Sequence, residues 1–146
     1  MKIIIQTDAS VQETILNIMC REITPELERL VEALRITDKK LSVKANGEIR
    51  LIDLKSILYV ETVERCTFIY TENGVSETPL RLYELEAMLA EHNFFRVNKS
   101  TLLNLNKIES LKSDIDRRIR VTLKNGYQLI ISRAYAEEFK TKLGVR

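Results

Sequence analysis

From residue 41 onward, apolar and polar side chains alternate in short runs, and Asn-Gly pairs separate three couples of them. Asn46-Gly47 lies between Leu41–Ala45 and Glu48–Ile52, and Asn73-Gly74 between Arg65–Thr71 and Val75–Thr78. Asn125-Gly126 lies between Arg118–Leu123 and Tyr127–Ile131. Asn-Gly is the preferred pair for a type I′ turn, in which both central residues need a positive φ. Three such hairpins predict a mostly antiparallel β domain. Phe94–Val97, Thr101–Leu105 and Ile108–Leu111 are three further short strand candidates. The period changes over Arg81–Glu91, where Leu82, Leu85, Met88 and Leu89 share one helical stripe. Ala134–Leu143 reads as a short last helix anchored by Phe139 and Leu143, with Gly144 as its stop.

Residues 1–40 follow a different pattern, read as strand, strand, helix. Lys2–Thr7 is short and β-branched. Glu13–Arg21 is apolar on both faces, which fits a central strand or one covered by a partner; a helix also fits. Thr24-Pro25 starts a helix, with Thr as N-cap and Pro at the first position. Glu26 and Glu28 suit its positive end, and Leu27, Leu30, Val31 and Leu34 form the expected buried stripe. The polar stretch Thr37–Lys40 divides this amino-terminal module from a main domain over 41–146.

Composition narrows the class. A chain of 146 residues with 45% hydrophobic and 30% charged side chains can build one core and is not broadly disordered. No apolar run nears the roughly 20 residues of a membrane span, and acidic residues follow the amino terminus too soon for a signal peptide. A soluble, cytoplasmic protein is expected. Cys20 and Cys66 stand far apart, which argues against a disulfide framework or a structural zinc. The net charge of +2 looks unpromising for nucleic acid until it is divided. Residues 1–40 hold 6 basic and 7 acidic side chains, so the remainder carries a net +3.

Catalytic chemistry is sparse. His92 is the single histidine, placed at a helix end without a nucleophile elbow, and no phosphate-cradling glycine loop occurs. The carboxylates Glu26, Glu28 and Glu32 read as solubilising. An enzyme is not expected, and neither is a cofactor, a metal or a small-molecule substrate. Basic residues are more informative. In Arg118–Lys124, Ile119, Val121 and Leu123 alternate with Arg118, Arg120, Thr122 and Lys124, a buried face backed by a polar row with three cations. Arg65, Arg96, Lys99, Lys107 and Arg133 fall at strand or turn ends.

The order of several stretches is distinctive. Ile57-Leu58-Tyr59-Val60-Glu61 is followed by Leu82–Leu89 and then by Phe94-Phe95-Arg96-Val97-Asn98-Lys99-Ser100. After these come Leu103–Ile108, Val121–Gly126 and Ile131-Ser132-Arg133. Residues from about 41 to 146 thereby resemble the LytTR-type DNA-binding domain, as found in small free-standing bacterial regulators. The resemblance implies an elongated stack of short antiparallel β-sheets with small helices. It also implies loops that enter successive major grooves of double-stranded promoter DNA.

It carries base contacts to the loop Thr62–Thr67 (Arg65 and Thr67 here), to Asn98 and Lys99, and to Arg133. Ser100 suits a phosphate, and Lys107, Arg117 and Lys124 are further phosphate candidates. Glu64 beside Arg65 is placed to pair with it. Residues 1–40 are too short for a receiver domain, so phosphorylation control by that route is not expected. The module would serve dimerisation, docking to a partner such as the membrane-embedded inhibitor of some relatives, or completion of the core. A homodimer on paired half-sites is the expected form. The rival reading is a protein-interaction module with DNA binding lost.

Overall fold

The structure, a computed structural model, describes residues 1–145. Its elements run α1 (Pro25–Thr37), β1 (Lys40–Ala45), β2 (Glu48–Asp53), β3 (Ile57–Val63), β4 (Cys66–Thr71) and β5 (Gly74–Thr78). Then follow α2 (Leu82–Leu89), β6 (Phe94–Asn98), β7 (Thr101–Asn104), β8 (Ile108–Ser113), β9 (Ile119–Leu123), β10 (Gln128–Ile131) and α3 (Arg133–Leu143). Seven strands form one sheet in the order β2-β1-β5-β4-β3-β7-β6, and β10-β9-β8 form a second. Every pairing is antiparallel. The expected β-rich fold of stacked antiparallel sheets with small helices is present.

Two cores explain why the middle strands are apolar on both faces. Successive residues of a strand point to opposite sides, so Leu102 and Leu103 of β7 enter different cores. One core places Ile57, Val60 and Leu102 against Leu82, Leu85 and Leu89 of α2. The other packs Tyr59, Val97 and Leu103 against the small sheet and Phe139 of α3. Tyr127, from the β9–β10 turn, stacks on Tyr59 at 5.5 Å, and Tyr59 on Tyr70 at 4.4 Å, which ties the small sheet to the large one. Burial, then the neighbouring Tyr127 hydroxyl, pushes the Tyr59 phenol above its ordinary titration range.

Helix α1 starts where the cap predicts. The Thr24 hydroxyl accepts the Leu27 N–H at 3.2 Å. Its buried side differs from the expected stripe, however. Leu30 and Leu34 lie at the surface, while Glu32 and Ile36 are buried. Ile36 joins the first core, and Glu32 is no solubilising acid: its carboxylate accepts the Ser42 backbone N–H at 3.1 Å and the Ser42 hydroxyl. Arg35 adds an ion pair at 2.5 Å. A carboxylate that fills an unpaired position on the edge of β1 thus outweighs the hydrophobicity of two leucines in setting the rotation of the helix.

Two further expectations are corrected. Lys2–Thr7 and Glu13–Arg21 form no strand or helix, and neither pairs with a strand of either sheet. Asn46-Gly47 has positive φ at both residues (53° and 77°), as a type I′ turn requires; Asn73 and Asn125 do not. The second two-residue left-handed turn is Glu64-Arg65, φ 48° and 71°, which closes β3 onto β4 without a glycine. Gly144 does end α3, at φ 74°. Cys20 and Cys66 are both free and exposed. No helix among the described residues is long and apolar enough to cross a membrane.

Candidate nucleic-acid interface

Three segments meet at one end of the molecule because backbone hydrogen bonds stitch them together. β3 and β4 pair to the last residue, Val63 against Cys66, so Glu64-Arg65 is a tight tip. At that tip Arg65 is exposed. β6 and β7 pair Asn98 with Thr101, which leaves Lys99-Ser100 as the next tip. The Thr62 N–H donates to the Ser100 carbonyl at 2.9 Å and holds these two turns side by side. The Ser132 N–H donates to the Val97 carbonyl at 3.1 Å and brings the start of α3 to the same place. Arg133 is the first residue of that helix and is exposed.

The Asn98–Thr101 turn is built with care. The Asn98 side-chain Oδ1 accepts the Ser100 N–H at 2.9 Å and the Ser100 hydroxyl at 3.1 Å, an Asx turn. Arg96 braces it from below, donating to the Lys99 carbonyl at 2.9 Å and pairing with Glu86 of α2 at 3.2 Å. The Arg96 Nε and the Thr62 hydroxyl are the two buried side-chain polar atoms without a partner among the described residues. Both belong to residues that hold this turn. Arg96 stands in the sequence as one more cation at a strand end; its bracing role shows only once α2 supplies Glu86.

Lys99, Arg65 and Arg133 stand outside every ion pair among the described residues, and Glu64 does not engage Arg65. By contrast Arg120, from the expected row of three cations on β9, is tied to Asp114 at 3.1 Å and to Gln128 at 3.2 Å. The Ile115 N–H and then Arg120 hold the Asp114 carboxyl below the usual carboxylate range. Thr67 does not join the tips. It is 3% exposed inside β4, paired with Thr62 and Thr78, because the hairpin closes two residues earlier than a six-residue loop would.

The phosphate candidates divide. β9 pairs Ile119 with Ile131, so Arg117 lies at the same end of the small sheet as Arg133. Asp116 and Arg117 adopt left-handed φ values of 56° and 62°, a tight turn that lifts them off the sheet. Lys107 and Lys124 sit at the other end, where the Lys124 N–H donates to the Lys107 carbonyl at 2.9 Å. His92 ends the short 3-10 turn after α2, beside Asn93 and away from the three tips. No cluster of three or more potential metal ligands occurs among the described residues.

An exposed end presenting two arginines and a lysine on rigid turns suits an acceptor-rich, anionic polymer. Comparison with known proteins agrees with that chemistry. Residues 47–144 match the family model described as LytTr DNA-binding domain. HTH-type transcriptional regulators of Staphylococcus aureus strains NCTC 8325, COL and N315 are each 26% identical over 99% of this chain and 99% of their own length. The LytTr DNA-binding domain of a Bacillus cereus protein superposes with a TM-score of 0.69 at 23% identity, over 73% of this chain and 97% of that one. With its β-rich fold and a family match over most of its length, this chain belongs to the LytTR family of DNA-binding domains.

Proposed function

We propose that the protein is a cytoplasmic transcription regulator that reads promoter DNA through the major groove and acts without catalysis or cofactor. The Glu64-Arg65 hairpin, the Asn98–Thr101 turn and the start of α3 enter successive major grooves. The observation that carries this reading is their backbone stitching, Thr62 to Ser100 and Ser132 to Val97, with Arg65, Lys99 and Arg133 unpaired at the tips. Arg133 on a helix start offers a bidentate fork to guanine O6 and N7, and the Asn98 amide can donate to a base acceptor. Lys99 and Arg65 flank them. Thr67, being buried, is left out of the base contacts.

Arg117 is placed for a phosphate near the groove that takes Arg133, and Lys107 and Lys124 for phosphates at the opposite end of the small sheet. The Ser100 hydroxyl is engaged with Asn98, so its contact with a phosphate requires that bond to be exchanged. Two copies would bind paired half-sites. A membrane-embedded inhibitor, as some free-standing members have, would compete for the same protein surface or for the amino-terminal segment.

The second reading, a protein-interaction module, draws on the exposed apolar residues of the amino-terminal segment. A gel shift with the gene's own promoter fragment and excess random competitor separates the two. A competitor-resistant shift is expected. A folded sample that shifts no fragment specifically would sink the DNA reading.

A further inference from the structure

Residues 1–23 are exposed throughout and form no strand or helix. Ten large apolar side chains stand in water there, among them Ile3, Ile5, Ile15, Leu16 and Met19. The segment's hydrogen bonds are local, joining Asp8 to Ser10 and Val11 in a turn between the two apolar stretches. The cost is visible in the total surface. A compact monomer of 17.0 kDa exposes about 7,700 Å², whereas this chain exposes 10878 Å². The excess, about 3,000 Å², exceeds the roughly 800 Å² per partner that a stable association buries.

An acceptor for this arm lies on the same chain. β2 is an outer strand of the large sheet, so one of its backbone edges has no strand beside it. Ile49 and Leu51 on it are 71% and 61% exposed, so apolar side chains stand beside an open backbone edge of the kind that pairs with another strand. Ile49 also borders a groove with Ile23, Leu27, Val31 and Tyr83. Ile23 is the root of the arm itself. Arm and acceptor are thus neighbours on one surface, and a two-fold axis satisfies both at once, each copy filling the other's groove. The exposed Leu30 and Leu34 of α1 extend the same apolar surface.

We propose that residues 1–24 are the dimerisation element, the arm of one copy adding to the β2 edge and apolar groove of a second copy. This deepens the paired half-site reading and rests on it only for the expectation of two copies. The free backbone groups of Lys2–Thr7 or Glu13–Arg21 would find partners on β2, which an isolated strand pair in water does not supply.

The test uses the full chain in sedimentation equilibrium, with Ile49→Glu and Leu16→Glu as separate variants. Both side chains are exposed, so neither change should alter the far-ultraviolet circular dichroism. The wild type should be a dimer, and each variant should dimerise about tenfold more weakly or worse. Mixing the two variants should recover dimer, because one unaltered arm then meets one unaltered groove. A monomeric wild type would overturn the proposal, whether limited proteolysis finds the arm protected on its own chain or open to a different protein. Variants that dimerise normally would also overturn it, and so would mixtures that recover nothing. Binding to a single half-site should be unchanged in both variants. A dimer that binds no DNA would defeat the functional reading and leave this one standing.

Discussion

Arg133 and Arg96 show how differently two arginines near one turn can act. Arg133 is exposed and outside every ion pair among the described residues, so its fork is available to a base pair. Arg133→Ala is expected to cost about 1–3 kcal/mol of operator binding and to relax preference at one position, read by competition against single-base operator variants at fixed salt. Unchanged preference would remove it from the base-reading residues. Arg96 instead has its guanidinium shared between Glu86 and the Lys99 carbonyl, with Nε buried and unpartnered. Lys has one compact ammonium in place of the two fork nitrogens, Nη1 and Nη2, that reach these two acceptors, so it does not reproduce the arrangement. Arg96→Lys should therefore lower thermal stability, by about 1–3 kcal/mol, and weaken operator binding without shifting base preference. Loss of preference at one base would instead place Arg96 in the groove.

At the scale of elements, the informative case is the hairpin that closes on Glu64-Arg65. Left-handed conformation costs an L-residue about 1–2 kcal/mol, and neither residue is a glycine or an asparagine. Glu64→Asn is expected to raise the urea unfolding midpoint, by a stability gain near 1 kcal/mol, with DNA binding kept. Arg65→Gly should stabilise similarly yet bind DNA more weakly, the trade expected when strain is retained at a working site. An Arg65→Gly variant with full affinity would show Arg65 to be a solvated charge. This turn was invisible to sequence patterning because nothing in Glu-Arg signals positive φ; register between β3 and β4 imposes it. The Asn46-Gly47 hairpin was legible, and so was the Thr24 cap, because both depend on local chemistry. The rotation of α1 was not, since periodicity identifies an apolar stripe without saying what covers it, and Glu32 reaches Ser42 only after β1 is in place. The candidate site shows the same division. Arg65, Lys99 and Arg133 could be named from ordered motifs, but their meeting depends on Thr62–Ser100 and Ser132–Val97 bonds that no local pattern encodes.

Over the whole molecule, charge is arranged so that a modest total suffices. The chain's net +2 is the sum of an acidic first part at −1 and a main domain at +3. Within that domain several cations are neutralised, Arg96 by Glu86 and Arg120 by Asp114, while the tips stay free. Lys107 and Lys124 form a separate pair at the opposite end of the small sheet from Arg133. The register sets Lys124 and Arg133 about seven strand residues apart, a rise of roughly 23 Å, which exceeds the roughly 12 Å width of one major groove. With Arg133 in the groove, the pair lies beyond the groove's edge, where the phosphate backbone runs. The consequence is measurable without knowing the operator in detail. Withdrawing one cation from its phosphate should reduce the slope of log K against log salt by about 0.9. Lys107→Ala with Lys124→Ala should then flatten the slope by nearly two units and weaken all sequences alike, while Arg133→Ala changes sequence preference instead. A double variant with an unchanged slope would mean that this far pair faces only solvent, and that the three tips with Arg117 carry the electrostatics of binding alone.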